Sequence, residues 1–132
     1  MNENDAVLIH YRLDRAAESL EEAELTANAS HWNTCANRLY YACFYAVSAL
    51  LLKHDMSRPK HGGVRSVFNH SFVKPGIVPV DAGKLHNSLF NMRQDGDYTD
   101  PTELDPKVVE PNIEEVRNFI TTITKLVEKE HE

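Results

Sequence analysis

The feature that most limits what this chain can fold into is residues 33–53, NTCANRLYYACFYAVSALLLK, its longest apolar segment. Wound as a helix, it would carry Trp32, Cys35, Leu39, Tyr40, Ala42, Cys43, Phe44, Ala46, Val47, Leu50 and Leu51 almost completely around the axis. A helix that is apolar nearly all round must be covered by several neighbours or by a partner chain. Its alanines allow other helices to approach closely. The most apolar part, 39–52, is too short and too rich in Tyr and Ala for a membrane span, so no membrane association is expected. Arg38 is the one charge between Trp32 and Lys53. It has to reach water, a carboxylate or a ligand.

The neighbours that could cover this helix are legible on either side of it. Over residues 4–28, Ile9, Leu13, Ala16, Leu20, Ala23 and Ala27 recur in steps of four and three, one face of a helix. Arg12, Asp14, Arg15, Glu18, Glu21, Glu22 and Glu24 occupy the other face. Asn4 or Asp5 is expected to cap this helix, and Ser30 or Asn33 the next. HDMSRPK reads as a loop. HGGVRSVFNHSFV reads as a short helix burying Val64, Val67, Phe68 and Phe72, stopped by Lys74-Pro75-Gly76. Asp81 is expected to cap a further helix running to about Gln94, with Leu85, Leu89 and Met92 on one side and Gly96 and Pro101 bracketing its end. Asp105-Pro106 has the form of an N-cap followed by Pro at the first helical position. Pro111 restarts or kinks the last helix, whose stripe is Ile113, Val116, Ile120, Ile123 and Val127. No stretch alternates with period two for long enough to be a strand. The sequence predicts one all-α domain over 1–132, an up-and-down four-helix bundle with an additional short helix.

Charge and cysteine content narrow the function. A net charge of −6 argues against a broad phosphate-binding surface and leaves room for a local basic pocket. Cys35 and Cys43 would stand about 12 Å apart along one helix, too far for a disulfide. They read as small buried thiols of a reducing compartment. The N-terminus is acidic early and lacks the apolar run of a signal peptide, so a cytoplasmic location is expected. There is no P-loop, GxSxG or HExxH, and the histidines at 10, 31, 54, 61, 70, 86 and 131 are scattered. Neither a metal nor a cofactor is expected.

Three polar features could carry chemistry. Arg93 and Asp97 fall on one helix face, close enough for a surface ion pair beside Tyr98. Alternatively, Arg93 offers a planar donor fork to phosphate, and Tyr98 a hydroxyl or a stacking surface. His86 lies two turns before Arg93 on the same face, as a structural or a functional histidine. Lys60-His61-Gly62-Gly63 is either a plain helix start or an anion-binding one. Arg38 either pairs with an acid of the first or fourth helix or reaches a ligand.

These residues also carry a family likeness. Arg38-Leu39-Tyr40-Tyr41-Ala42-Cys43-Phe44 with Ala49-Leu50-Leu51 resembles the second-helix signature of HEPN domains. Lys60-His61-Gly62-Gly63-Val64 with Phe68, and Arg93-x-x-x-Asp97-Tyr98, resemble later family segments in the expected order, over about residues 8–127. The resemblance implies a helical bundle, commonly a homodimer. It also implies a link to metal-independent ribonuclease toxins that use an R-x4–6-H motif, and to partnership with minimal nucleotidyltransferases that modify a Tyr just after that motif. Tyr98 stands at that place. In this chain the window after Arg93 holds Asp97 and Tyr98 instead of His, and a carboxylate is a poor proton donor near neutral pH. The leading expectation is therefore a non-catalytic module that binds a nucleotide, an RNA or a nucleotidyltransferase partner, as in toxin–antitoxin systems. Arg38, Lys60, His61, Arg93, Asp97 and Tyr98 would be its ligand-binding residues. The alternatives are a metal-independent endoribonuclease drawing on Arg93, His61 and His86, and a purely structural dimerisation domain.

Overall fold

The computed structural model describes residues 2–98 and 103–129, with the backbone alone over 94–98. Among the described residues the chain forms four long helices: α1 (Glu3–Asn28), α2 (Trp32–Lys53), α4 (Val80–Tyr98) and α6 (Pro111–Glu128). A short α3 (His61–Phe68) runs directly into a π-helical turn (Asn69–Val73), and a single turn, α5 (Pro106–Val109), precedes α6. The architecture is the expected all-α, up-and-down bundle.

Helix α2 lies at its centre, against α1, α3, α4, α5 and α6. Its length and composition would allow it to cross a membrane, but 67% of its most apolar window is buried inside the bundle. Cys35, Leu39, Tyr40, Cys43, Val47, Leu50 and Leu51 are all sealed from solvent. Truncating one of these leucines to Ala should cost about 2–5 kcal/mol, the transfer loss plus the cavity left behind. Both cysteines are free thiols, and burial pushes Cys35 up to about 11. From α6 the core takes Val116, Phe119, Ile123 and Val127, while Ile113 and Ile120 pack at its margin.

The helix ends differ from the expected ones in instructive ways. Asn2, two residues before Asn4 and three before Asp5, caps α1 by accepting from the Asp5 N–H at 2.8 Å. Ser30 has φ of +62° because it terminates α1, where the His31 N–H bonds back to the Thr26 carbonyl at 2.8 Å. It is therefore not the cap of α2; His31 holds that position without a side-chain bond. Asn33 instead accepts from the Leu104 N–H at 2.7 Å, pinning the approach to α5 against the start of α2. Helix α4 continues past Gln94 and through Gly96 to Tyr98. Asp105 does cap α5, accepting from the Lys107 N–H at 2.9 Å, and Pro111 opens α6. Lys53 donates to the carbonyls of Leu126, Val127 and Lys129, placing a cation at the negative end of α6.

Gly83 fixes how closely α4 meets the π-helical turn. A Cβ there would lie 2.9 Å from a Val73 methyl and 3.0 Å from Asn69 Oδ1. Asn69 in turn donates to the Arg65 carbonyl and to Asn87 Oδ1. The contact sets the position of α4, and hence of Arg93.

Candidate functional site

Three elements converge on the Tyr40 ring. Helix α4 lines up His86, Phe90 and Arg93 at intervals of four and three residues, one side of a helix. His86 and Phe90 each lie 5.9 Å from Tyr40 centroid to centroid, and the Arg93 guanidinium lies 5.0 Å over the same ring. Helix α3 contributes His61 from its first turn. Its Nδ1 is 2.7 Å from the Tyr40 hydroxyl, and its ring stacks on Phe44 at 4.3 Å. Helix α2 itself supplies Tyr40, Tyr41 and Phe44.

Guanidinium groups surround these rings. Arg93 lies 5.9 Å from the centre of Tyr41, Arg38 lies 5.0 Å over Tyr41, and Arg65 lies 4.3 Å over Phe90. Such placements draw the cation to the negative face of the ring. Arg38 also bonds Glu22 of α1 at 3.2 Å and Asn37 at 2.7 Å, so its charge is shared with the first helix. Arg38, Tyr41, Phe44, His61, Arg65, Phe90 and Arg93 are all half-buried, while Tyr40 is sealed beneath them.

The electrostatics follow from this packing. Burial, then the nearby Arg93, holds His61 below the usual imidazole range. Burial pushes the Tyr40 phenol up, so its hydroxyl keeps its proton at neutral pH. His86 is fully buried, and neither ring nitrogen has a hydrogen-bond partner among the described residues. Desolvation, with Arg65 and His61 adding to it, pulls it down to about 4. Among the described residues no three His, Cys, Asp or Glu side chains gather as a metal site would require.

The structure thus brings together Arg38, His61 and Arg93 of the residues singled out from the sequence. His86 touches the same Tyr40 but faces Phe68 and Phe119 in the core. Lys60 is exposed at the start of α3. The side chains of Asp97 and Tyr98, including Tyr98 as a modification acceptor, lie outside the described residues. The sequence reading gave no role in the site to Phe44, Arg65 and Phe90. The spacing Arg38-x-x-Tyr41-x-x-Phe44 was a usable local signal, because side chains three apart on a helix meet. The Tyr40–His61 bond spans two elements and left no such trace.

The residue pattern of the HEPN domain family matches residues 9–127, nearly the whole bundle and every residue just placed around Tyr40. The chain belongs to the HEPN family. It is similar to a UPF0332 protein of Thermotoga maritima, 40% identical over 128 residues that cover 97% of this chain and 96% of that protein. Two proteins of Methanocaldococcus jannaschii named as candidate toxins are also similar. One is 34% identical over 92 residues, covering 70% of this chain and 63% of the relative. The other is 29% identical over 119 residues, covering 89% and 87%. In this HEPN domain the site combines cationic forks, half-buried aromatic rings and a hydrogen-bonded imidazole held below its usual pKa range. Those groups suit a phosphate attached to a flat base.

Proposed function

We propose that this HEPN domain is a non-catalytic module that binds a nucleotide or an RNA end at the Tyr40 site, in a toxin–antitoxin-like setting. The observation that carries the reading is the Arg93 guanidinium held over Tyr40, beside a His61 that is bonded to the Tyr40 hydroxyl. Arg93 would present its donors to phosphate, and the half-buried faces of Tyr41 and Phe44 would meet a base. A binding role fits the proton inventory. His61 is neutral near pH 7 and Tyr40 holds its proton, so neither supplies the readily released proton that a general acid needs. The relatives named as candidate toxins support the setting, and a minimal nucleotidyltransferase acting on Tyr98 is the partner proposed for it. Exposed Val7, Leu8 and Tyr11 on α1 support assembly as a homodimer, which light scattering would test.

Calorimetric titration with adenosine 5′-monophosphate and with a short single-stranded RNA tests the reading. Saturable binding that weakens at least about tenfold in Arg93→Ala, with the melting temperature nearly unchanged, is expected. Equal binding by the variant would rule the site out.

One observation favours a metal-independent endoribonuclease as the second reading. A neutral imidazole beside an arginine is able to accept the proton of a 2′-hydroxyl. Incubation with mixed RNA in EDTA separates the two. Cleavage that vanishes in Arg93→Ala would establish the enzyme, and intact RNA would leave the binding module.

A further inference from the structure

A second basic feature lies on the far wall of the site. Phe44, which stacks on His61, also lines a cavity of about 240 Å³ bounded by Arg12, Tyr45, Ser48, Leu51, Arg58 and Val64. It sits where α1, α2 and the 54–60 connection meet α3, and among the described residues no carboxylate lines it.

Both arginines are held in place without an acidic partner among the described residues. Half-buried Arg12 donates from Nη1 to the Ser48 carbonyl at 3.1 Å and makes no ion pair among the described residues. A guanidinium has five N–H donors, so most of this fork stays available. Desolvation lowers the pKa of Arg12, as expected of a cation facing no counter-charge. Arg58 folds back over its own loop, donating from Nη1 to the carbonyls of Met56 and Ser57 at 3.1 and 2.9 Å. Its stem lies across Gly63, where an added Cβ would be 3.2 Å from the Arg58 Cβ. Gly63 therefore serves the placement of Arg58, and a Cβ at neighbouring Gly62 would meet open space. Arg15 stands apart from the pair: it bonds Glu18 at 3.1 Å and covers Tyr45 at 5.3 Å.

A partly desolvated cation gains most from an anion that restores both its charge balance and its hydrogen bonds. The cavity is smaller than those that enclose drug-sized ligands, about 300–1,000 Å³, and has room for a phosphate group together with several waters. We propose that this cavity is a second anion site, in which Arg12 and Arg58 grip a phosphate group, either free inorganic phosphate or the terminal phosphate of a nucleotide. The site does not depend on the function proposed for Tyr40, since it shares only the Phe44 wall with it.

The test is an NMR titration of the isotope-labelled full chain, following arginine side-chain N–H and backbone amide signals. Sodium phosphate and adenosine 5′-monophosphate should each shift the Arg12 and Arg58 signals and the Gly63 amide saturably, and adenosine should not. Adenosine 5′-monophosphate binding more tightly than phosphate identifies a nucleotide as the source, and equal affinities identify free phosphate; either supports the site. Arg58→Ala, at an exposed residue, should weaken binding at least about tenfold. Arg12→Lys, which keeps the charge and removes the fork, should also weaken it. The proposal is overturned if these signals do not shift by about 20 mM phosphate, or if both variants bind as the parent does. Absence of shifts at Arg93 would count against the Tyr40 reading alone.

Discussion

Around Tyr40 two neighbourhoods meet, each holding a histidine. His61 is half-buried, bonded to the Tyr40 hydroxyl, stacked on Phe44 and close to Arg93. His86 is sealed, has no partner for either nitrogen among the described residues, and packs against Phe68 and Phe119. One residue type serves as a polar fitting in the first place and as a flat core filler in the second. The difference lies in burial and in partners, which no inspection of the residue type reveals. It predicts that changes on the His86 side alter stability, and that changes on the His61 side alter binding.

The largest effect should come from removing the ring both sides share. Tyr40→Ala is expected to cost about 3–5 kcal/mol in chemical denaturation and to abolish nucleotide binding as well. If stability fell and binding survived, the two neighbourhoods would not be joined through Tyr40. Next in size is the acid response. Unfolded His86 takes up a proton near 6.5, while the folded protein resists until about 4. Stability should therefore fall as pH drops through that window, by roughly 3 kcal/mol in all. His61 is lowered too and adds in the same direction. Denaturant melts at a series of pH values should show a slope that largely flattens in His86→Leu. A slope unchanged by that substitution would place the proton uptake elsewhere.

Gly83→Ala probes the frame that holds α4 and should destabilise by about 1–3 kcal/mol, because its new methyl meets Val73 and Asn69. Thermal melts would read it, and a neutral outcome would mean that α4 shifts freely. Tyr40→Phe keeps the ring and removes only the bond to His61. It should cost about 1 kcal/mol in stability and loosen nucleotide binding measurably in calorimetry. The smallest effect belongs to the rim. Glu22→Gln breaks the Arg38 pair, whose partners are both partly solvated, and should change stability by less than about 1 kcal/mol.

Much of the frame was legible in the sequence because it rests on periodicity. The all-round apolar segment became the central α2, and the stripes of α1 and α6 became core faces. Helix ends were read less well, since a cap depends on which backbone N–H groups are left open. Ser30 could not cap α2 once its positive φ was spent on ending α1. For the site, Arg93, His61 and Arg38 were visible as polar residues in unusual surroundings. The Tyr40 hydroxyl has a role only because α3 folds back to bring His61 within 2.7 Å. Arg12 and Arg58 stayed hidden for a related reason. Arg12 lies on a face full of acids, and only the tertiary packing separates it from them.

The central claim is that the polar neighbourhood of Tyr40 holds a phosphate-bearing nucleotide through Arg93. The most direct measurement is a calorimetric titration of adenosine 5′-monophosphate into the parent and Arg93→Ala chains, with their melting temperatures taken side by side. The parent should bind saturably and the variant should lose at least about tenfold in affinity, at nearly equal melting temperatures. Equal binding by the two chains, or a variant that melts far lower while the parent binds nothing, would contradict it.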